Sequence, residues 1–172
     1  MKTKKTILTI IILIVLLLNV YKVNAQIRFG DKESFATSIY LDPVASVKEK
    51  GLDIGADIEY RGFLLVKAGI ESFEELEGGY FDIHGVIAPR FTIGQMERLS
   101  LYAGLRLGVV FRYSQPNPIM GFEGGIDYVF PSGLLIGVNA SYMRRGDIEA
   151  IYRLENFWRE NGYVRIGYSW DW

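Results

Sequence analysis

The sequence predicts an all-β protein, an eight-stranded antiparallel up-and-down barrel that crosses a membrane with strands. Three observations predict it. Apolar and polar residues alternate with period two over most of the chain after residue 34. Short connections alternate with longer ones, and aromatic residues gather at both ends of the apolar faces.

The first residues read as a targeting segment rather than as part of the fold. Lys2, Lys4 and Lys5 form a positive start, Ile7 to Leu18 is apolar except for Thr9, and Val23-Asn24-Ala25 is a small-residue cleavage pattern. Cleavage is expected after Ala25, so that 1–25 is a signal peptide and 26–172 is one barrel domain. The apolar run is shorter than the roughly 20 residues of a spanning helix. Removing the four leader lysines leaves fifteen bases against 20 acids, a net charge of −5. Such a chain has no basic footprint for nucleic acid. With no cysteine, disulfides and thiolate metal sites are excluded.

Phe35, Thr37, Ile39 and Leu41 form the weakest candidate strand, ending at Asp42-Pro43. The next strand is the clearest: Leu52, Ile54, Ala56, Ile58 and Tyr60 alternate with Asp53, Gly55, Asp57, Glu59 and Arg61. Leu64, Val66, Ala68 and Ile70 oppose Lys67 and Glu71, and Phe81, Ile83, Gly85 and Ile87 oppose Asp82, His84 and Arg90. Leu101 to Phe111 keeps Arg106 and Arg112 on the polar side. Phe122 to Phe130 keeps Glu123 and Asp127 there, and Leu134 to Tyr142 keeps Asn139 and Ser141. Val164, Ile166, Tyr168, Trp170 and Trp172 oppose Arg165 and Asp171. No apolar-phase position in these strands is charged.

Arg61-Gly62, Thr92 to Arg98 and Pro131-Ser132-Gly133 are the short connections, expected on the periplasmic side. Lys48 to Gly51, Ser72 to Gly79, Ser114 to Pro118 and Arg144 to Gly162 are the longer, outer set. Tyr60, Tyr128, Phe130, Trp170 and Trp172 fall at the periplasmic ends of the apolar faces, and Phe81, Phe111, Phe122 and Tyr142 at the outer ends.

The closing segment Tyr163-Val164-Arg165-Ile166-Gly167-Tyr168-Ser169-Trp170-Asp171-Trp172 resembles the C-terminal β-signal of outer-membrane proteins. The mature chain resembles the small OmpA/OmpX-like eight-stranded barrels in length and layout. The resemblance implies a monomer in the cell outer membrane, in contact with outer-membrane lipid and lipopolysaccharide. It also implies delivery by periplasmic chaperones and the barrel assembly machinery, which would read Tyr168, Trp170 and Trp172. It implies no catalytic residue and no cofactor.

An eight-stranded barrel encloses little more than its own side chains. Asp53, Asp57, Glu59, Lys67, Asp82, His84, Arg106, Arg112, Glu123, Asp127 and Arg165 are expected to fill the lumen as a polar network rather than line a pore. His84 also admits a lipid A-modifying enzyme, although no second motif supplies an orienting partner and nucleophile. Asp53-x-Gly-x-Asp57 has a calcium-like look, but on a strand its carboxylates stand roughly 13 Å apart. The glycines of Gly121-Phe-Glu-Gly-Gly125 are expected to relieve crowding. A soluble, lipocalin-like barrel shares the period with its inside and outside reversed. Surface interaction is expected from the outer excursion, through Arg145, Ile151, Tyr152, Phe157 and Trp158, read as a hairpin or as a helix.

Overall fold

A computed structural model describes residues 27–74, 79–94, 96–153 and 157–171, with the side chains of Lys48, Glu49, Glu74 and Tyr152 left out. The leader, Trp172 and the side chain of Tyr152 therefore lie outside the described residues. Eight antiparallel strands close on themselves: β2 (Ser34–Leu41), β3 (Ile54–Arg61), β4 (Leu64–Glu74), β5 (Gly79–Ile93), β6 (Leu99–Arg112), β7 (Gln115–Val129), β8 (Leu134–Arg145) and β9 (Trp158–Asp171). Closure is made by β2 against β9, where Phe35 pairs with Trp170 and Ile39 with Ile166. The weakest candidate strand is thus the one that seals the ring. A ninth, three-residue strand, β1 (Ile27–Phe29), takes the place beside β5 that lies beyond the start of β4, pairing Ile27 with Ile93 and Phe29 with Phe91.

The alternation read from the sequence becomes an inside and an outside. Ile58, Ile70, Ile87, Leu105, Phe122, Val138 and Ile166 are exposed on the outer wall, as lipid-facing residues must be. Glu59, Lys67, Arg106 and Arg165 are buried inside. This orientation is the reverse of a lipocalin, so the soluble ligand-binding alternative falls. Phe35 stacks with Trp170 and meets Tyr60 edge-on, building the aromatic belt of the end expected to face the periplasm.

Local chemistry explains the connections. Gly133 holds φ +88 in the β7–β8 turn, where Phe130 N–H donates to the Leu134 carbonyl at 2.8 Å. After β2, Asp42 does more than end a strand. Its carboxylate accepts from the N–H groups of Val44 and Ala45 and caps α1 (Pro43–Glu49), with Pro43 in the first turn, where a missing N–H costs nothing. The expectation of a plain loop before residue 51 is corrected accordingly. The expected loop from Ser114 to Pro118 is also corrected: β6 and β7 join through Tyr113-Ser114 alone, both with positive φ. Pro116 and Pro118 lie in β7 beyond its pairing with β8, which begins at Ile119, and so sit where the strand has one open edge. The outer excursion is shorter than its sequence suggests. β8 and β9 stay paired out to Arg144 and Trp158, and one π-helical turn, Ile148–Tyr152, follows.

Candidate functional site

The lumen is filled by side chains that meet across it in tiers. Near the periplasmic end, Arg61 Nη1 lies 2.7 Å from Glu59 and 3.3 Å from Asp127, while Arg61 Nη2 donates to Ser100. Arg165 bridges from β9 to Asp57 at 3.2 Å and Glu59 at 3.1 Å, with Asp127 at 3.6 Å. Ser38 donates to Asp57 at 2.7 Å. In the middle tier, Lys67 donates to Glu123 at 2.7 Å and to Tyr102 at 2.9 Å, and Tyr102 donates to Glu123 in turn. Gly125 makes room for Tyr102, since a Cβ there would stand 2.7 Å from its ring. Crowding relief by the Gly121–Gly125 glycines is therefore seen at Gly125.

Above this, Arg106 gathers three carboxylates and stands beside His84. Its guanidinium reaches Glu123 at 3.2 Å, Glu71 at 2.9 Å, Asp82 at 3.5 Å and His84 Nδ1 at 3.1 Å. Tyr80 and Tyr163 both donate to Glu71. Glu71, Asp82 and His84 bring ligand atoms within 4.8 Å of one another, the spacing of a metal site. The Arg106 guanidinium already stands among them as their cation. His84 is buried at 4 % exposure and faces Asp82 at 2.7 Å, on the lumen side of the wall. His84 therefore points into the lumen and not onto the outer wall. The Asp53–Asp57 pair does not chelate, because Asp57 is held by Ser38, Arg165 and Lys67. Asp53 is fully buried just before β3, and neither carboxylate oxygen accepts a hydrogen bond. Burial, then the charges of Glu71 and Asp42, raise its pKa to about 9.

The outer mouth is closed twice. Phe73, Tyr80, Val110, Ile119 and Met143 form a buried apolar layer against which Ala45 of α1 packs. Asp147, just past β8, accepts from Arg112 at 2.8 Å and from two nitrogens of Arg145 at 2.8 and 2.9 Å. Both guanidiniums lie over the Tyr80 ring, at 5.3 and 3.9 Å. Burial pushes the Asp147 carboxyl up, but the hydrogen bonds and charges of Arg145 and Arg112 outweigh it and hold the pKa below the usual range.

No family model and no curated relative matches the chain. Solved structures do. The crystal structure of Neisserial surface protein A matches with a TM-score of 0.50 at 12% identity, covering 86% of this chain and 99% of that one. The Yersinia pestis outer membrane protein Ail, in a phospholipid bilayer nanodisc, matches with a TM-score of 0.53 at 13% identity, covering 81% of this chain and 100% of that one. The chain has the fold of a small outer-membrane barrel.

Of the residues read on the inward face, Asp53, Asp57, Glu59, Lys67, Asp82, His84, Arg106, Arg112, Glu123, Asp127 and Arg165 are buried. Asp171 is not; it is exposed at the periplasmic rim and meets Lys32 at 2.7 Å. Arg145 is not on the surface as expected, because β8 continues its alternation and turns it into the mouth. Ile151, Phe157 and Trp158 are half-buried around the excursion, and Trp158 stacks on Tyr142 at 4.7 Å. Tyr168 and Trp170 stand in the closing strand, exposed on its outer face.

One element had no signal in the sequence. Glu97, with φ 50, accepts from Arg28 at 3.0 Å, the Lys32 N–H at 3.3 Å and Arg90 at 3.5 Å. It clasps the segment after β1 to the barrel's periplasmic rim.

Proposed function

We propose that this protein is exported through a signal peptide cleaved after Ala25 and works as a monomeric, non-enzymatic outer-membrane barrel. Its contribution is to envelope integrity or surface contact, made through the outer loops rather than through a channel. The observation that carries this reading is the cross-lumen bonding of Arg165, Lys67 and Arg106 to acids on other strands. A conducting path would have to break those contacts. Outer-membrane lipid and lipopolysaccharide are the partners suited to the apolar wall. Periplasmic chaperones and the barrel assembly machinery are the partners suited to a closing strand with Tyr168 and Trp170 in phase.

Two measurements test it. Membrane fractionation, with unboiled and boiled samples compared on a denaturing gel, should give an outer-membrane band with a heat-modifiable shift. A planar bilayer containing the refolded protein should show no unitary current steps. Soluble periplasmic protein would overturn the membrane address, and steady current steps the sealed lumen. Lipid A incubated with wild-type protein should remain unaltered; deacylation lost in His84→Ala would overturn the non-enzymatic reading.

A further inference from the structure

The outer wall of the barrel carries little charge. Among the described side chains, Arg144 and Glu160 are the only charged ones on outward-facing strand positions. They occur together. Arg144 pairs with Trp158 and Tyr142 with Glu160, so the two charges are diagonal neighbours on β8 and β9, with backbones roughly 7–8 Å apart. Tyr142 and Trp158 stack in parallel between them. A charge on the lipid side of a barrel is costly at the midplane and tolerated near the interface. This patch is level with Phe122 of the outer aromatic belt.

Each charge stands at the rim of a groove in the wall. Glu160, Tyr142, Phe122 and Leu105 border one of about 680 Å³. Its floor exists because four adjacent strands align their smallest residues, Ala103 with Gly124, Gly124 with Ala140, and Ala140 with Gly162. Arg144, Glu149, Met120 and Pro118 border the other, of about 390 Å³. Volumes of this order hold small ligands.

The charges choose the occupant. Arg144 meets Glu149 and lies over the Phe157 ring at 5.0 Å, and its side chain stays 42% exposed. Glu160 makes no ion pair among the described residues. One guanidinium thus faces two carboxylates, which repels a purely anionic headgroup and suits one carrying an ammonium beside its phosphate.

We propose that the β8–β9 face binds one zwitterionic phospholipid, with its ammonium on Glu160, its phosphate at Arg144 beside the smaller groove and an acyl chain in the larger one. This rests on the outer-membrane reading above. It names a specific lipid partner for a wall that would otherwise contact lipid without selection.

The test uses the folded full mature protein in mild detergent. Native mass spectrometry follows incubation with dioleoyl phosphatidylethanolamine, dioleoyl phosphatidylglycerol and lipid A at equal concentration. A single phosphatidylethanolamine adduct should dominate. Glu160→Gln should weaken that adduct about threefold to fivefold, the scale of an exposed ion pair, without weakening phosphatidylglycerol binding. Ala140→Leu, which fills the larger groove, should weaken both. Equal binding of all three lipids, unmoved by either variant, would mean unselective annular contact and overturn the proposal. Preference for lipid A would overturn it in favour of an anionic ligand. Each variant is first checked for the heat-modifiable shift. A wild-type barrel that keeps its shift but shows no selectivity counts against the lipid site alone, and a wild type without the shift counts against the barrel.

Discussion

Lys67 on β4 and Glu123 on β7 meet at 2.7 Å across the lumen, from strands separated in the ring by β5 and β6. Neither residue is a ladder neighbour of the other, so the bond works as a strut between walls. Lys67→Met removes it and leaves the buried carboxylates of Asp57 and Glu123 with fewer partners. The expected loss is about 3–5 kcal/mol in urea unfolding from lipid vesicles. The Lys67→Met, Glu123→Leu double variant should lose less than the sum of the two single variants.

Asp53 offers the opposite case. Its buried carboxyl keeps its proton up to about 9, whereas the unfolded chain ionises near 3.8. The native state therefore binds a proton that the unfolded state releases, and this penalty grows as pH rises between those values. Asp53→Asn should stabilise the barrel at pH 7.5, by about 1–3 kcal/mol. The gain should vanish at a pH below the unfolded value. An unchanged unfolding midpoint at pH 7.5 would mean that the carboxylate has a partner after all.

Asp147 should give acid sensitivity to the mouth. Its folded pKa is depressed, so its contribution is present above the unfolded value of 3.8 and is lost as pH falls through the folded value. Asp147→Asn should weaken the mouth at neutral pH, by about 1–3 kcal/mol, and its difference from wild type should shrink in acid. Hydrogen exchange of the β6 and β8 outer ends, followed from pH 7 to pH 3, reads this directly.

Ser114 sits at φ 61 in the tight β6–β7 turn, a conformation that costs any residue with a Cβ. Ser114→Gly should raise stability by about 0.5–1 kcal/mol, read as a higher temperature for loss of the unboiled gel band.

Much of this architecture was legible because a membrane wall imposes a strict two-way sorting. Leu105 and Arg106 could only fall on opposite faces, and so the lumen residues were identified before their partners were known. The partners were not legible. That Arg165 meets Asp57 and Glu59, or that Arg106 stands among Glu71, Asp82 and His84, depends on which strands face each other across the ring. Where reading stopped short, the cause was local. Ending β8 at Tyr142 sent Arg145 to the surface, although continuing the same alternation turns it inward. Asp42-Pro43 carried the signal of a capped helix start that was read only as the end of a strand. β1 and the Glu97 clasp had no signal, because three residues are too few to show a period.

That short strand has a consequence for the order of assembly. β1 does not pair with β2, its neighbour in the chain, but with the far end of β5, more than sixty residues later. Its partner edge lies on β5, in line with β4, and exists only once β5 has formed. Arg28 and Lys32 then need Glu97, from the turn after β5, before they are held. The segment made before every barrel strand is thus seated only after β5 has formed. Its docking marks a late stage of biogenesis, and protection of residues 27–32 from protease would report that stage.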